Sequence, residues 1–162
     1  MAGLAANPVL RKVAPLALFR LAYISTSLLA GRSAARRGAA LGDILLMSRR
    51  NNEAVHVTGA LLATESNFAQ VLEGERADVE TIYARISIDP RHKDPVLLLA
   101  GSLTAREFPK WSMAFIGPSH SADEAVQRVA GNLSATERGD RARHFVNFMR
   151  DMLMARMALP NG

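Results

Sequence analysis

Asn67-Phe68-Ala69-Gln70-Val71-Leu72-Glu73-Gly74 reads as a β-strand that carries an amide where an apolar side chain is due. Side chains alternate faces along a strand, so Phe68, Gln70 and Leu72 share one side. A primary amide held between two large hydrophobes costs about 1 to 3 kcal/mol unless something hydrogen-bonds to it. Something polar must therefore meet Gln70 inside the fold. The chain offers Tyr23 on an earlier strand pattern, Asn51 and Asn52 at the end of an amphipathic helix pattern, and Trp111-Ser112-Met113 on a late strand pattern. A phenol, amides and an indole turned inward describe a pocket for a flat, polar-edged ligand better than a plain core.

Outward from that strand the pattern is regular. Residues 16–25 alternate as a strand, with Phe19, Leu21, Tyr23 and Ser25 on one face. After an Arg/Gly/Ala-rich stretch, Leu41, Ile44, Leu45, Ser48 and Asn52 follow helical spacing, so the stripe turns polar at its C-terminal end. Residues 57–64 and 68–72 form a hairpin turning at Glu65-Ser66-Asn67, and Gly74 ends its second strand. Val79, Ile82, Tyr83 and Ile86 make a second helical stripe that stops at Asp89-Pro90, because proline disfavours a helical residue before it. Residues 96–99 and 111–116 supply two more strands. The order β-α-β-β-α-β-β predicts an α+β, ferredoxin-like fold in which two helices pack on one face of a mixed antiparallel sheet.

Past Gly117-Pro118 the pattern is helical only. Residues 122–130 form one helix, and Ser134-Ala-Thr-Glu137 is a capping box that opens a longer one with Phe145, Phe148, Met149 and Met152 as its apolar stripe. These helices are too short to form a domain, so they should cover the open sheet face or a second subunit. Three parts result: a loose extension over residues 1–15, a ligand-binding domain over 16–117, and a helical appendage for output or oligomerisation over 118–162.

Composition narrows the classes. The 162 residues, 49% of them hydrophobic, suit one domain with a small addition. The absence of cysteine excludes disulfides, iron–sulfur ligation and a cysteine nucleophile, and the four histidines show no ligand spacing, so no metal is expected. His56, His120 and His144 read as surface or loop residues. No apolar run is long enough to span a bilayer and no secretory signal is evident, which points to the cytoplasm. The net charge of +5 is concentrated early, at Arg11, Lys12, Arg20, Arg32, Arg36, Arg37, Arg49 and Arg50 against Asp43. These cations alternate with small and apolar residues and not with stacking aromatics, so they read as a solvated basic face, not a nucleic-acid surface.

Taken in order and spacing, Ser48-Arg-Arg-Asn51-Asn52, Val57-Thr58-Gly59-Ala60-Leu61-Leu62, Phe68-Ala-Gln70-Val-Leu-Glu73-Gly74, Asp89-Pro-Arg91-His92 and Phe108-Pro-Lys-Trp111-Ser-Met113 resemble the BLUF family of flavin-using blue-light sensors. The likeness runs over roughly residues 17–117. It implies the same ferredoxin-like sheet, with FAD, or else FMN or riboflavin, held between the two helices, and a light sensor that is not itself an enzyme. By matching motif, it implies that Tyr23 is the electron donor and Gln70 the amide bridging Tyr23 to the flavin. Asn52 would meet the C4=O and N3–H edge and Asn51 the C2=O side. A carboxamide offers donor and acceptor in fixed geometry, as that edge requires. Ile44 and Ile86 would sandwich the ring, Arg91 and His92 would sit toward the ribityl or phosphate side, and Trp111 and Met113, placed on one strand face, would neighbour Gln70. The implied partners are a second copy of the chain in a homo-oligomer, with Met149, Met152, Met154 and Met157 as an adaptable contact stripe, and a non-covalent effector such as a cyclic-di-GMP phosphodiesterase or a transcriptional regulator. Two rival readings are an acylphosphatase-like enzyme, using Tyr23 through Arg32 as an anion loop, and a ferredoxin-like RNA-binding module; neither accounts for Gln70, Asn52 and Trp111 together.

Overall fold

The computed structural model describes residues 17–131 and 134–159. The extension expected over residues 1–15 lies outside the described residues. The element order is β1 (Leu18–Ser27), α1 (Ala34–Ala54), β2 (Thr58–Ala63), β3 (Asn67–Glu75), α2 (Arg76–Ser87), β4 (His92–Leu103), β5 (Ala114–Ile116), α3 (His120–Ala130) and α4 (Ala135–Ala158). The sheet order is β4-β1-β3-β2-β5, antiparallel throughout except for the β2–β5 pair, which is parallel. The α+β arrangement read from the sequence is the one observed.

Helices cover both faces of this sheet. Phe19, Leu21, Tyr23, Phe68 and Leu72 pack with residues of α1 and α2 on one side. On the other side Ala22, Ile24, Ala69 and Val71 pack with α3 and α4 through Val126, Phe145 and Met149. The C-terminal helices thus take the open sheet face. Central strands sealed on two sides read as near-continuous buried runs, as β1 and β3 do. With both faces covered, no sheet surface is left for single-stranded RNA to stack on, and that rival reading loses its platform.

Several boundaries differ from the sequence reading, each for a local reason. Helix α1 begins at Ala34, well before Leu41, because Ser33 caps it by accepting from the Arg36 amide and the alanines that follow favour helix without burying anything. It ends at Ala54, so Asn51 and Asn52 lie inside its last turns; His56, in the left-handed region at φ 55°, turns the chain into β2. Gly74 does not end β3, which runs to Glu75. Gly59 is required by contact instead, since a Cβ there would strike the Val71 carbonyl. Strand β4 is longer than residues 96–99, and β5 is shorter than 111–116, keeping only Ala114–Ile116. Ser134 and Glu137 form the expected capping box of α4. The methionine stripe divides: Met149 is core, Met152 is half-buried, and Met154 and Met157 are exposed.

Candidate functional site

Antiparallel pairing of β1 with β3 sets Tyr23 directly opposite Gln70, both on the face that packs under α1 and α2. Each is only 3% exposed. The Tyr23 hydroxyl donates to Gln70 Oε1 at 2.6 Å, and Gln70 Nε2 donates to the Met113 sulfur at 3.5 Å. The amide that the strand pattern left without a partner is thus held by a phenol and a thioether. Burial pushes the Tyr23 hydroxyl well above its usual 10, and nearby Tyr83 and Asp89 push the same way. Tyr23 therefore stays a neutral hydrogen-bond donor at any physiological pH.

Above this pair a cavity opens between α1 and α2, with about 770 Å³ of empty space including its solvent mouth. Tyr23 and Gln70 line its floor, Ile44 projects from α1 and Ile86 from α2, and of the other expected residues Asn51, Arg91 and His92 also line it. His92 is fixed on both ring nitrogens, Nδ1 to Ser25 Oγ at 2.7 Å and Nε2 to the Ile86 carbonyl at 2.6 Å. A carbonyl can only accept, so Nε2 carries a proton and, in the neutral ring, Nδ1 accepts from Ser25. Arg91 is clamped at 2.9 and 2.5 Å by both carboxylate oxygens of Asp89, and this pairing holds the Asp89 carboxyl below its usual range. Ser48, Asn51 and Arg85 also line the cavity and make no side-chain hydrogen bond among the described residues. A flat ring between Ile44 and Ile86 would find unspent donors and acceptors on Ser48 and Asn51, with the Arg85 cation available to a phosphate, so the side chains fit a flavin.

Other expected residues stand elsewhere. Asn52 is buried but does not line the cavity: its Nδ2 donates to the Ser112 carbonyl at 2.7 Å. Trp111 and Met113 do not share a face. Met113 packs under α1 and α2 with Gln70, whereas Trp111 packs half-buried against the α3–α4 core. The period-two rule fails there because regular strand begins only at Ala114; the Trp111 carbonyl instead accepts from the Gly59 amide at 3.0 Å.

Sequence reasoning missed Ser48, Arg85 and Asp89 as lining residues, and Tyr83, whose ring centroid lies 5.3 Å from that of Tyr23. Helical spacing could have shown Arg85, three residues beyond Ile82 on the stripe. It missed most completely a second buried polar centre at Glu73. That carboxylate is fully buried and accepts from Arg20 Nε at 2.9 Å and Nη2 at 2.7 Å, from the Glu107 amide at 2.9 Å and from the Phe108 amide at 3.1 Å.

A two-sided α+β sandwich with a buried phenol–amide pair flooring a cavity between two helices is an architecture suited to hold a small molecule. Residues 18–114 match the family model BLUF, sensors of blue-light using FAD, and the chain belongs to that family. It is 38% identical over 88 residues to the blue light- and temperature-regulated antirepressor BluF of Escherichia coli (strain K12), a match covering 54% of this chain and 22% of that protein. It is 36% identical over 73 residues to photoactivated adenylate cyclase subunit alpha of Euglena gracilis, covering 45% of this chain and 7% of that protein. The chain thus spans about a fifth of the first of these relatives and less than a tenth of the second. The dark-state structure of BlrB, a BLUF protein, superposes with a TM-score of 0.63 at 28% identity, over 80% of this chain and 95% of that one. Residues 18–114 are a flavin-binding blue-light sensor domain, not an enzyme in themselves.

Proposed function

We propose that light is sensed by rearrangement of the Tyr23–Gln70–Met113 chain of hydrogen bonds, and that the flavin is FAD. The observation that carries this reading is the 2.6 Å bond from the Tyr23 hydroxyl to Gln70 Oε1, with Gln70 Nε2 turned to the Met113 sulfur. When bound, the flavin supplies the blue-light absorption and the oxidising equivalent. Tyr23 is the residue placed to surrender an electron, and its hydroxyl proton has one short path, along that bond to Gln70 Oε1.

Return of the electron and proton to Tyr23 can leave the amide turned about its last torsion. A turned amide would aim Nε2 at the Tyr23 oxygen and Oε1 at the Met113 sulfur, which has no proton to donate. An acceptor left unpaired in that way costs about 1 to 3 kcal/mol, so Met113 favours the present orientation and makes the turned one a signalling state that decays. Asn51 and Ser48 hold the polar edge of the ring, Ile44 and Ile86 its faces, and Arg85, with Arg91 and His92, the side toward the phosphates. Asn52 positions the Ser112–Met113 backbone against α1.

The output is carried by a separate effector protein, of the phosphodiesterase or transcriptional-regulator kind, or by a homo-oligomer in which exposed Met154 and Leu159 take part. The test of the sensing reading is spectroscopic. Purified protein reconstituted with FAD should be yellow, and blue light should shift its absorption to the red without bleaching it. Colourless protein that refuses FAD, or bleaching in place of a shift, would contradict it.

A further inference from the structure

Strand β5 is one edge of the sheet, and it is three residues long. An edge strand presents unpaired backbone groups unless something covers them. Here two arginines cap carbonyls at this edge from opposite layers, one within β5 and one just before it. Arg49 of α1 donates from Nε to the Met113 carbonyl at 3.0 Å, and Arg156 of α4 donates from Nη1 to the Phe115 carbonyl at 3.0 Å. Between them lies a groove with about 1070 Å³ of empty space including its open side, rimmed by Arg49, Lys110 and Arg156 and floored by Trp111, Phe115 and Met157. None of its lining residues is acidic. Bonds to carbonyls leave both guanidinium charges in place, and neither arginine nor Lys110 has a carboxylate partner among the described residues.

We propose that this groove is a docking site for an acidic amphipathic segment of a partner protein. Its apolar side would sit on Trp111, Phe115 and Met157, and its carboxylates would meet Arg49, Lys110 and Arg156. The Phe115 carbonyl of β5 and the Met113 carbonyl just before it are already engaged by arginine, so the occupant engages through side chains. Three unneutralised cations around one cleft focus field lines toward negative charge and favour encounter with an acidic partner over a basic one.

The groove is also tied to the sensing site. Met113 gives its sulfur to Gln70 and its backbone carbonyl to Arg49, so a turn of the amide alters the residue on which one rim of the groove is anchored. That coupling rests on the reading of Gln70 given above; the docking chemistry does not.

Trp111 is the single tryptophan of the chain and stands in the groove, which makes its emission a direct reporter. The experiment titrates the full-length protein, in the dark, with a synthetic amphipathic helical peptide bearing Glu on its polar face. The controls are the same peptide with Lys for every Glu, a generic DNA duplex, and vesicles of anionic phospholipid. The expected result is a saturable change in Trp111 emission with the acidic peptide alone, weakened by added salt and about tenfold or more weaker in Lys110→Glu and in Met157→Glu. Both substitutions are at exposed side chains without hydrogen-bond partners among the described residues, so the fold is retained.

No response to the acidic peptide, equal response to the Lys peptide, or undiminished binding by both variants would overturn the proposal. A response to vesicles or DNA with none to the acidic peptide would equally overturn it, assigning the surface to that ligand instead. The light-induced absorption shift is read on the same sample. If the shift is present and the peptide does not bind, the groove proposal alone fails; if the peptide binds and no shift appears, the sensing reading alone fails.

Discussion

Gln70 and Glu73 lie three residues apart on one strand, each faces a partner across the same β1–β3 ladder, and each is buried, yet they are built for opposite purposes. Gln70 meets Tyr23 and Glu73 meets Arg20, on opposite faces of the sheet. The carboxylate is charged and held by two guanidinium N–H groups and two backbone amides, so every orientation but one loses several charge-assisted bonds. The amide is neutral and held by one strong bond and one weak one to sulfur. Its two orientations differ by the worth of about one hydrogen bond, a gap that photochemistry can cross and thermal motion can restore. On the proposed mechanism, a fixed clamp beside a soft switch would let one side chain turn while the strand that carries it stays in place. The same clamp holds the segment before β5, since Glu107, whose backbone amide binds Glu73, also takes Arg150 of α4 at 2.7 Å.

If the clamp is structural and the switch functional, substitutions should separate them. Glu73→Ala strands the Arg20 guanidinium, only 15% exposed, beside the vacated site and should cost about 3 to 5 kcal/mol, read as a large drop in thermal midpoint. A loss below about 1 kcal/mol would mean that Glu107, 3.7 Å from Arg20, takes over and that the clamp is not what fixes β3. Tyr23→Phe keeps the ring and should cost about 1 to 3 kcal/mol, because Gln70 Oε1 loses its donor. It should bind flavin and show no light-induced red shift. A normal shift in this variant would remove Tyr23 from the switch.

Met113→Leu conserves volume and should cost less than about 1.5 kcal/mol while deleting the sulfur that faces the amide. The red shift should persist, whereas the light-dependent change in hydrogen exchange across α3 and α4 should weaken; unchanged exchange differences would place the output route elsewhere, through α1 or α2. The smallest effect belongs to Asp89→Asn at the cavity rim, about 0.2 to 1 kcal/mol for a pair that water still reaches. Because Arg91 holds the Asp89 carboxyl below its unfolded value near 4, this contribution is complete above that value and disappears as pH falls through the folded one. The stability difference between wild type and Asp89→Asn should therefore be flat from neutral pH down to about 5 and shrink below about 4; a difference that grew on acidification would refute the assignment.

The order of elements was legible because hydrophobic period alone separates strand from helix over long segments, and Gln70 was legible because it breaks that period. Tyr23, Ile44, Asn51, Ile86, Arg91 and His92, which the family resemblance had grouped, all line one cavity. What escaped reading depended on irregular backbone. Trp111 and Met113 alternate only if residues 111–116 are a strand, and residues 111–113 are not, so the two part to opposite faces. Asn52 gives its amide nitrogen to the Ser112 carbonyl, a main-chain acceptor with no mark in the sequence. Glu73 resembled the end of an amphipathic strand, since nothing in residues 67–74 signals that Arg20 stands opposite or that amides from residues 107 and 108 come back to cover it. Charge pairing across a sheet is a matter of register, and register is set by the whole fold.

The central claim is that Gln70 is the moving part. Gln70→Leu replaces it with a side chain at home between Phe68 and Leu72, leaving the cavity walls in place. The light-minus-dark absorption spectrum of this variant, loaded with FAD beside the wild type, is the direct measurement. A bound flavin whose spectrum does not shift to the red under blue light is the result expected. A wild-type shift with wild-type recovery would show that the switch lies outside the Tyr23–Gln70–Met113 chain.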